Sequence, residues 1–201
     1  MAELSYEIIF NPLLVSKIIC GGGVSADFFA LYAGDLGSVY YETGIQSSSL
    51  TKKIINIAGV DVRFSGPGEE HIIKKRNLYQ AGFLSDPWGQ KGFPGTGDWI
   101  DNKFTGVASE VSSLARMMDQ VDGSLVCVVP SNWLYKTSAR DGSLKEHIVR
   151  NRFLEAVIQL PVGILHSTNV APALLVINTS KRRPDILFID GGKGQLSQAA
   201  D

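Results

Sequence analysis

Residues 108–130 read ASEVSSLARMMDQVDGSLVCVVP, and the reading of this stretch decides the fold class. Val111, Leu114, Ala115 and Met118 recur at helical spacing, which predicts a helix over 108–120 that stops at a turn made by Asp122-Gly123. Leu125 to Val129 then forms a wholly apolar run closed by Pro130. A run with no polar face belongs to a strand buried on both sides, as in a parallel sheet.

Outward from there, Ser143-Leu144-Lys145-Glu146 has the form of a capping box. The Ser143 hydroxyl would accept from a free backbone N–H and Glu146 would reach back, so a helix of about two turns is predicted to start at Ser143. Strands are predicted over Phe153–Leu160, Ala173–Ile177 and Ile186–Ile189. Strand alternating with helix argues for an α/β sheet with crossover helices. The last strands have too little chain between them for another helix, which predicts an antiparallel edge strand. Residues 1–80 are less sharply patterned: Tyr6–Phe10, Val15–Cys20, Phe28–Tyr32 and Ile54–Val62 are candidate strands, and His71–Tyr79 a short basic amphipathic helix. Gly21-Gly22-Gly23 and Ser47-Ser48-Ser49 read as turns. With no internal repeat and no Pro/Ser linker, residues 1–201 are taken as one domain.

The 201 residues, 44% hydrophobic and 19% charged, suit one globular domain with its own core and exclude a disordered tail. Nineteen basic against twenty acidic residues leave a net charge of −1. No whole-molecule field therefore draws the protein to nucleic acid or acidic lipid, and such a partner must be held locally. Cys20 and Cys127 read as reduced core residues. Glu3 and Glu7 stand where a secretory signal would be basic, and a cytoplasmic protein is expected. Ala156 to Ser180 carries no formal charge and is long enough to span a bilayer. Gln159, Pro161, Gly163, His166 and Asn169 break it into two apolar segments around a polar loop, so two buried strands are expected and no membrane span.

There is no Gly-Lys-Ser/Thr phosphate loop, no paired His on a helix and no Gly-x-Ser-x-Gly elbow. Three histidines and two distant cysteines make a metal site unexpected. The informative segment is Gly82–Gly92, GFLSDPWGQKG. An apolar strand end runs into Ser85-Asp86-Pro87-Trp88-Gly89, and in an open α/β sheet ligands bind at the carboxyl ends of strands. Pro87 stiffens the backbone, a carbonyl and a carboxylate there can accept from an exocyclic amine, and Trp88 can stack on a planar base. A tight turn with Trp88 as a lid on the core is the other reading.

Asp86-Pro87-Trp88-Gly89 resembles the Asn/Asp-Pro-Pro-aromatic motif of N6-adenine DNA methyltransferases. Residues 123–190 resemble the catalytic domain of modification subunits of type I restriction systems. The similar phrases are Val128-Val129-Pro130-Ser131, Ile148-Val149-Arg150, Leu154 to Pro161, Gly163-Ile164-Leu165 with Ser167-Thr168-Asn169-Val170, and Leu174 to Asn178.

The resemblance implies a Rossmann-like sheet of the S-adenosylmethionine-dependent methyltransferase type, mostly parallel with an antiparallel edge strand. It implies methyl transfer to N6 of an adenine flipped out of double-stranded DNA, with a DNA-specificity subunit and a restriction subunit as partners. Asp86 and the peptide carbonyl near Pro87 would accept the amine protons, and Trp88 would stack. The motif has one proline where the family has two. Either Asp86 keeps the first position and the aromatic comes a residue early, or Trp88 and Gly89 keep theirs and Ser85 stands first.

For the cofactor, the resemblance implies a glycine-rich loop and an acidic residue after the second strand. Tyr32 to Ser38, with Asp35 and Gly37, matches the first, and Ile57 to Asp61, with Asp61, the second; an ordinary loop and a solvated carboxylate are the alternatives. His166 stands where the family has an aromatic facing the base, or is simply an exposed loop histidine. Lys74-Lys75-Arg76 and Lys181-Arg182-Arg183 are phosphate contacts or solvated faces. The chain is shorter than full modification subunits, as a fragment or shortened homologue would be. The competing class is a catalytically degenerate methyltransferase-like interaction module.

Overall fold

The apolar run at 125–129 lies inside a longer strand, β5 (Val121–Pro130), whose residues 125–130 are all buried. The computed structural model describes residues 17–22, 38–42, 62–65, 79–85, 88–89, 109–165, 168–180 and 184–191. Within them, β1 (Lys17–Gly22), β2 (Ser38–Glu42), β3 (Val62–Ser65), β4 (Tyr79–Ser85), β6 (Leu154–Gln159), β7 (Pro172–Asn178) and β8 (Leu187–Asp190) join β5 in one eight-stranded sheet. The strand order is β3-β2-β1-β4-β5-β7-β6-β8. Helices α1 (Ser109–Gln120) and α2 (Ala139–Arg150) flank β5 in the chain, and a 3₁₀ helix covers Ser131–Tyr135.

All pairs from β3 to β5 are parallel, β7 is antiparallel to both β5 and β6, and β8 is parallel to β6. The mostly parallel sheet with one reversed strand is as expected. The reversed strand, however, is β7, which inserts between β5 and β6 instead of forming the edge. The short connection that ruled out a helix between the last strands holds for β6–β7, but the chain then steps past β6 to place β8 outermost.

Alternation along β5 divides the core. Leu125, Cys127 and Val129 face a cluster with Leu114 and Met118 of α1, Leu144 and Ile148 of α2, and Leu175 and Ile177 of β7. Val126 and Val128 point to the opposite face and are buried as well, in a row with Phe83, Cys20 and Ile18 of the neighbouring strands. Cys20 and Cys127 are both buried and neither is in a disulfide, and burial pushes the Cys20 thiol well up. The uncharged stretch forms the two strands β6 and β7, and among the described residues no helix is long and apolar enough to cross a membrane.

Four local expectations are corrected. α1 passes straight into β5, and Asp122-Gly123 is a bulge inside the strand, not a turn before it. α2 begins at Ala139, so Ser143 and Glu146 lie within the helix. The first helical bond runs from Gly142 N–H to Ser138 O, and Glu146 pairs instead with Arg150 at 2.7 Å on the exposed face. Tyr79, the last residue of the helix expected at 71–79, opens β4, and β2 arises where no strand was expected; the remainder of 71–79 lies outside the described residues.

The end of α2 is closed by Arg152 in the left-handed region, φ 57°, with Phe153 N–H donating to Ile148 O and Arg152 N–H to Val149 O, both at 3.0 Å. This is the double bond pattern that glycine normally closes. Arg152→Gly is therefore expected to stabilise the fold by about 0.5–1 kcal/mol, read as a rise of about 2 °C in thermal unfolding.

Candidate functional site

Because β7 alone is reversed, β1–β6 and β8 all end at the same edge of the sheet. The chain leaves β1 for β2 on one side, while β4 pairs with the other side of β1. The strand order therefore reverses between β1 and β4, and the crevice outside that point is where doubly wound sheets bind ligands. Two glycines, Gly21 and Gly22, close β1 there, and Gly22 is in register with Ser85, the last residue of β4. Adjacent strands lie about 4.8 Å apart, so the end of β1 and the start of the Ser85–Gly89 motif are immediate neighbours. Without Cβ atoms, the two glycines leave room for a ligand to approach the backbone.

Trp88 is half-buried and lies in a turn with Gly89, whose φ of +72° favours glycine. Its Nε1–H donates to the carbonyl of Val128 at 3.4 Å. Why this carbonyl is available follows from the ladders. Thr179 N–H donates to Gly123 O and Ser131 N–H to Ala171 O, which puts the β5–β7 hydrogen bonds on the odd residues of β5. Even residues of β5 turn their backbone groups to β4, but the β4–β5 pairing ends at Leu84–Cys127. Val128 O is thus the first carbonyl beyond the ladder, and the indole caps it. The ring is fixed at the carboxyl edge between β4 and β5, which answers to neither a freely exposed plane nor a lid buried in the core.

Of the residues singled out from sequence, Ser85 and Trp88 are brought together at this edge. Asp86, Pro87, His166, Asp35, Gly37 and Asp61 lie outside the described residues. The strand bounds beside them are described. Ser38, which closes the stretch matched to the glycine-rich loop, opens β2 at the amino edge, and Val62, which follows Asp61, opens β3 at that same edge. The loop after the first strand starts at Gly21-Gly22, and the second strand ends in Glu42, twenty residues after Gly22. Sequence reasoning passed over both. The available signal was the β-forming run Val39-Tyr40-Tyr41 directly before Glu42, at the spacing from a glycine cluster that such folds use.

Architecture and edge geometry define a Rossmann-like fold, a mostly parallel sheet with one reversed strand. Residues 113–200 match the family described as N-6 DNA Methylase. The chain is similar to the type I restriction enzyme MpnII methylase subunit of Mycoplasma pneumoniae, with 27% identity over 100 residues covering 49% of this chain and 18% of that protein. Its fold is similar to that of the type I restriction-modification system methyltransferase subunit from Streptococcus thermophilus: TM-score 0.77, 14% identity, 97% of this chain and 47% of the other. A modification subunit of a type I restriction enzyme from Vibrio vulnificus gives a TM-score of 0.69 at 15% identity, over 94% of this chain and 45% of that one. The resemblance read over residues 123–190 holds. The chain spans less than half the length of each of these relatives.

Proposed function

We propose that this chain performs S-adenosylmethionine-dependent methylation of adenine N6 in DNA, as the catalytic part of a type I modification subunit whose DNA sequence is read by a specificity subunit. The observation that carries the proposal is the register of Gly22 with Ser85 at the strand-order reversal, with Trp88 fixed beside it. It brings a glycine-ended β1, suited to the cofactor, against the motif suited to the base.

Gly21 and Gly22 give the cofactor access to the backbone, and Glu42 supplies the carboxylate for its ribose hydroxyls. S-adenosylmethionine, when bound, supplies the methyl group. The chain's own work is on the amine. The adenine N6 lone pair is delocalised into the ring, so the nitrogen is a weak nucleophile. An acceptor at Asp86, or at Ser85 where that residue stands first in the motif, and the peptide carbonyl near Pro87 hold its two protons and turn the lone pair toward the methyl group. Asp86 is the strongest of these, because a carboxylate accepts more strongly than a hydroxyl. Trp88 gives the extruded base a plane, kept in one orientation by the Val128 carbonyl.

The test is methyl transfer to adenine-containing DNA by the assembled modification enzyme, alongside calorimetry with S-adenosylmethionine. Trp88→Ala is expected to weaken DNA engagement by about 1–3 kcal/mol while cofactor affinity stays unchanged. Trp88→Phe keeps a ring but loses the hydrogen bond, and is expected to fall between the two. A stable Trp88→Ala enzyme that methylates normally would remove Trp88 from the site.

A further inference from the structure

Beyond the Leu84–Cys127 pair, β5 runs on through Val128, Val129 and Pro130 without pairing to β4. On that side the Val128 carbonyl takes the Trp88 Nε1–H at 3.4 Å, and on the other side the strand pairs with β7 as far as Pro172. The chain then leaves the sheet as the 3₁₀ helix Ser131–Tyr135. How firmly that helix is held therefore decides how firmly the end of β5 is held. A short 3₁₀ helix satisfies few of its own carbonyls and needs donors from outside. At its start Ser131 N–H donates to Ala171 O at 2.9 Å, and at its end Lys136 N–H closes onto Trp133 O at 3.2 Å. The outside donor comes from α2. Lys145 Nζ donates to Leu134 O at 3.2 Å and to Lys136 O at 2.6 Å, and it lies 4.8 Å over the Trp133 ring.

Lys145 is half-buried beside the buried Leu144, and Trp133 belongs to the cluster that also holds Cys127 and Val129 of β5. The stem of the lysine thus lies against the core while its charge serves two carbonyls, and such charge-assisted bonds are stronger than neutral ones. The pinned segment begins at Ser131, a chain length of at most about 11 Å from Val128. Resting on the reading of Trp88 as the plane for a flipped adenine, we infer that Lys145 is a positioning residue for methyl transfer. It pins the 3₁₀ helix after β5 and so fixes the Val128 carbonyl that orients the Trp88 indole. A displacement of about 1 Å in an orienting group costs up to about a hundredfold in rate. The loss falls on the chemical step, because Trp88 is still present but turned, and DNA is held over a much larger surface than one indole plane.

The experiment uses the assembled modification enzyme carrying Lys145→Met, which keeps an unbranched stem over Trp133 and removes the donors. Lys145→Arg is the conservative variant. Hydrogen exchange of the amides from Ser131 to Thr137 is expected to speed about tenfold or more in Lys145→Met. On duplex DNA carrying the target adenine, kcat is expected to fall about tenfold while KM for DNA stays within about twofold. S-adenosylmethionine affinity is expected to be unchanged. Lys145→Arg still donates to both carbonyls and is expected to keep kcat within about threefold of the unsubstituted enzyme. Unchanged exchange in Lys145→Met overturns the pin. Unchanged kcat, or a loss of kcat matched by an equal loss of S-adenosylmethionine affinity, overturns the positioning role and leaves Lys145 as a support of the fold. A Lys145→Arg enzyme as slow as Lys145→Met overturns it as well. An unsubstituted enzyme that transfers no methyl to DNA overturns the functional reading itself, and the positioning role with it, whatever the exchange shows.

Discussion

Calorimetry on Glu42→Ala is expected to show S-adenosylmethionine binding weakened by roughly 2–4 kcal/mol, about thirty- to a thousandfold in Kd, with the fold intact. A carboxylate that accepts from two ribose hydroxyls makes two charge-assisted hydrogen bonds, and truncation loses both. Glu42 ends β2 at the edge where β1 ends in Gly22, whereas β3 begins at Val62, at the opposite edge. Asp61→Ala is therefore the control, expected to bind the cofactor as the unsubstituted protein does. The reverse result, loss in Asp61→Ala and none in Glu42→Ala, would return the ribose contact to Asp61.

The contrast between Glu42 and Asp61 marks where sequence patterning stops informing. β5 and β7 are apolar enough to stand out by composition alone, because each is covered by its neighbours: Leu125 to Val129 and Ala173 to Ile177 are buried throughout. Beyond β1, short strands carry a weaker signal. Ser-Val-Tyr-Tyr-Glu and Val-Arg-Phe-Ser are four or five residues long and mix polar with aromatic side chains, so their periodicity does not separate them from loop, and only the β-forming run Val39-Tyr40-Tyr41 and its distance from the glycines mark β2. The more apolar segment at 54–62 carries the stronger composition signal, and β3 starts only at its last residue, Val62. Local signals also lost to tertiary ones. Ser143 and Glu146 have the spacing of a helix start, but Ser138 already supplies the carbonyl for the first helical bond, to Gly142 N–H. Asp122-Gly123 has the composition of a turn, but here it is a bulge inside β5, where Gly123 O accepts from Thr179 N–H. The Ser85–Gly89 motif was legible because its residues are unusual together. The role of Val128 O was not legible, since a backbone carbonyl leaves no trace in sequence.

Gly123→Ala is expected to be the most destabilising single substitution in the described sheet, costing roughly 3–5 kcal/mol and lowering thermal unfolding by about 10 °C. The cause is a close backbone approach. Between Tyr79–Val121 and Ala81–Ser124 the β4–β5 pairing gains one residue on β5, and Gly123 passes the carbonyl of Gln80 there. A Cβ on Gly123 would stand 2.1 Å from that oxygen, and the backbone φ of +151° disfavours any L side chain. No flexible side chain can yield, because the obstacle is main chain. Thr179 fixes the same bulge from the other side: Gly123 N–H donates to its Oγ1 at 3.0 Å, and its hydroxyl is bonded to Val121 O. Thr179→Val leaves those backbone groups without their partner and is expected to cost about 1–3 kcal/mol. The bulge matters to the site because it sets the register downstream. It puts Leu84 opposite Cys127 and leaves Val128 O for the Trp88 indole. A one-residue slip would turn Leu125, Cys127 and Val129 away from α1 and α2 and swing the Val128 carbonyl toward β7. Whatever Gly123→Ala protein remains folded is thus expected to lose methyl transfer more than S-adenosylmethionine affinity. Equal stability of Gly123→Ala and the unsubstituted protein would show that β5 reaches Trp88 by another register.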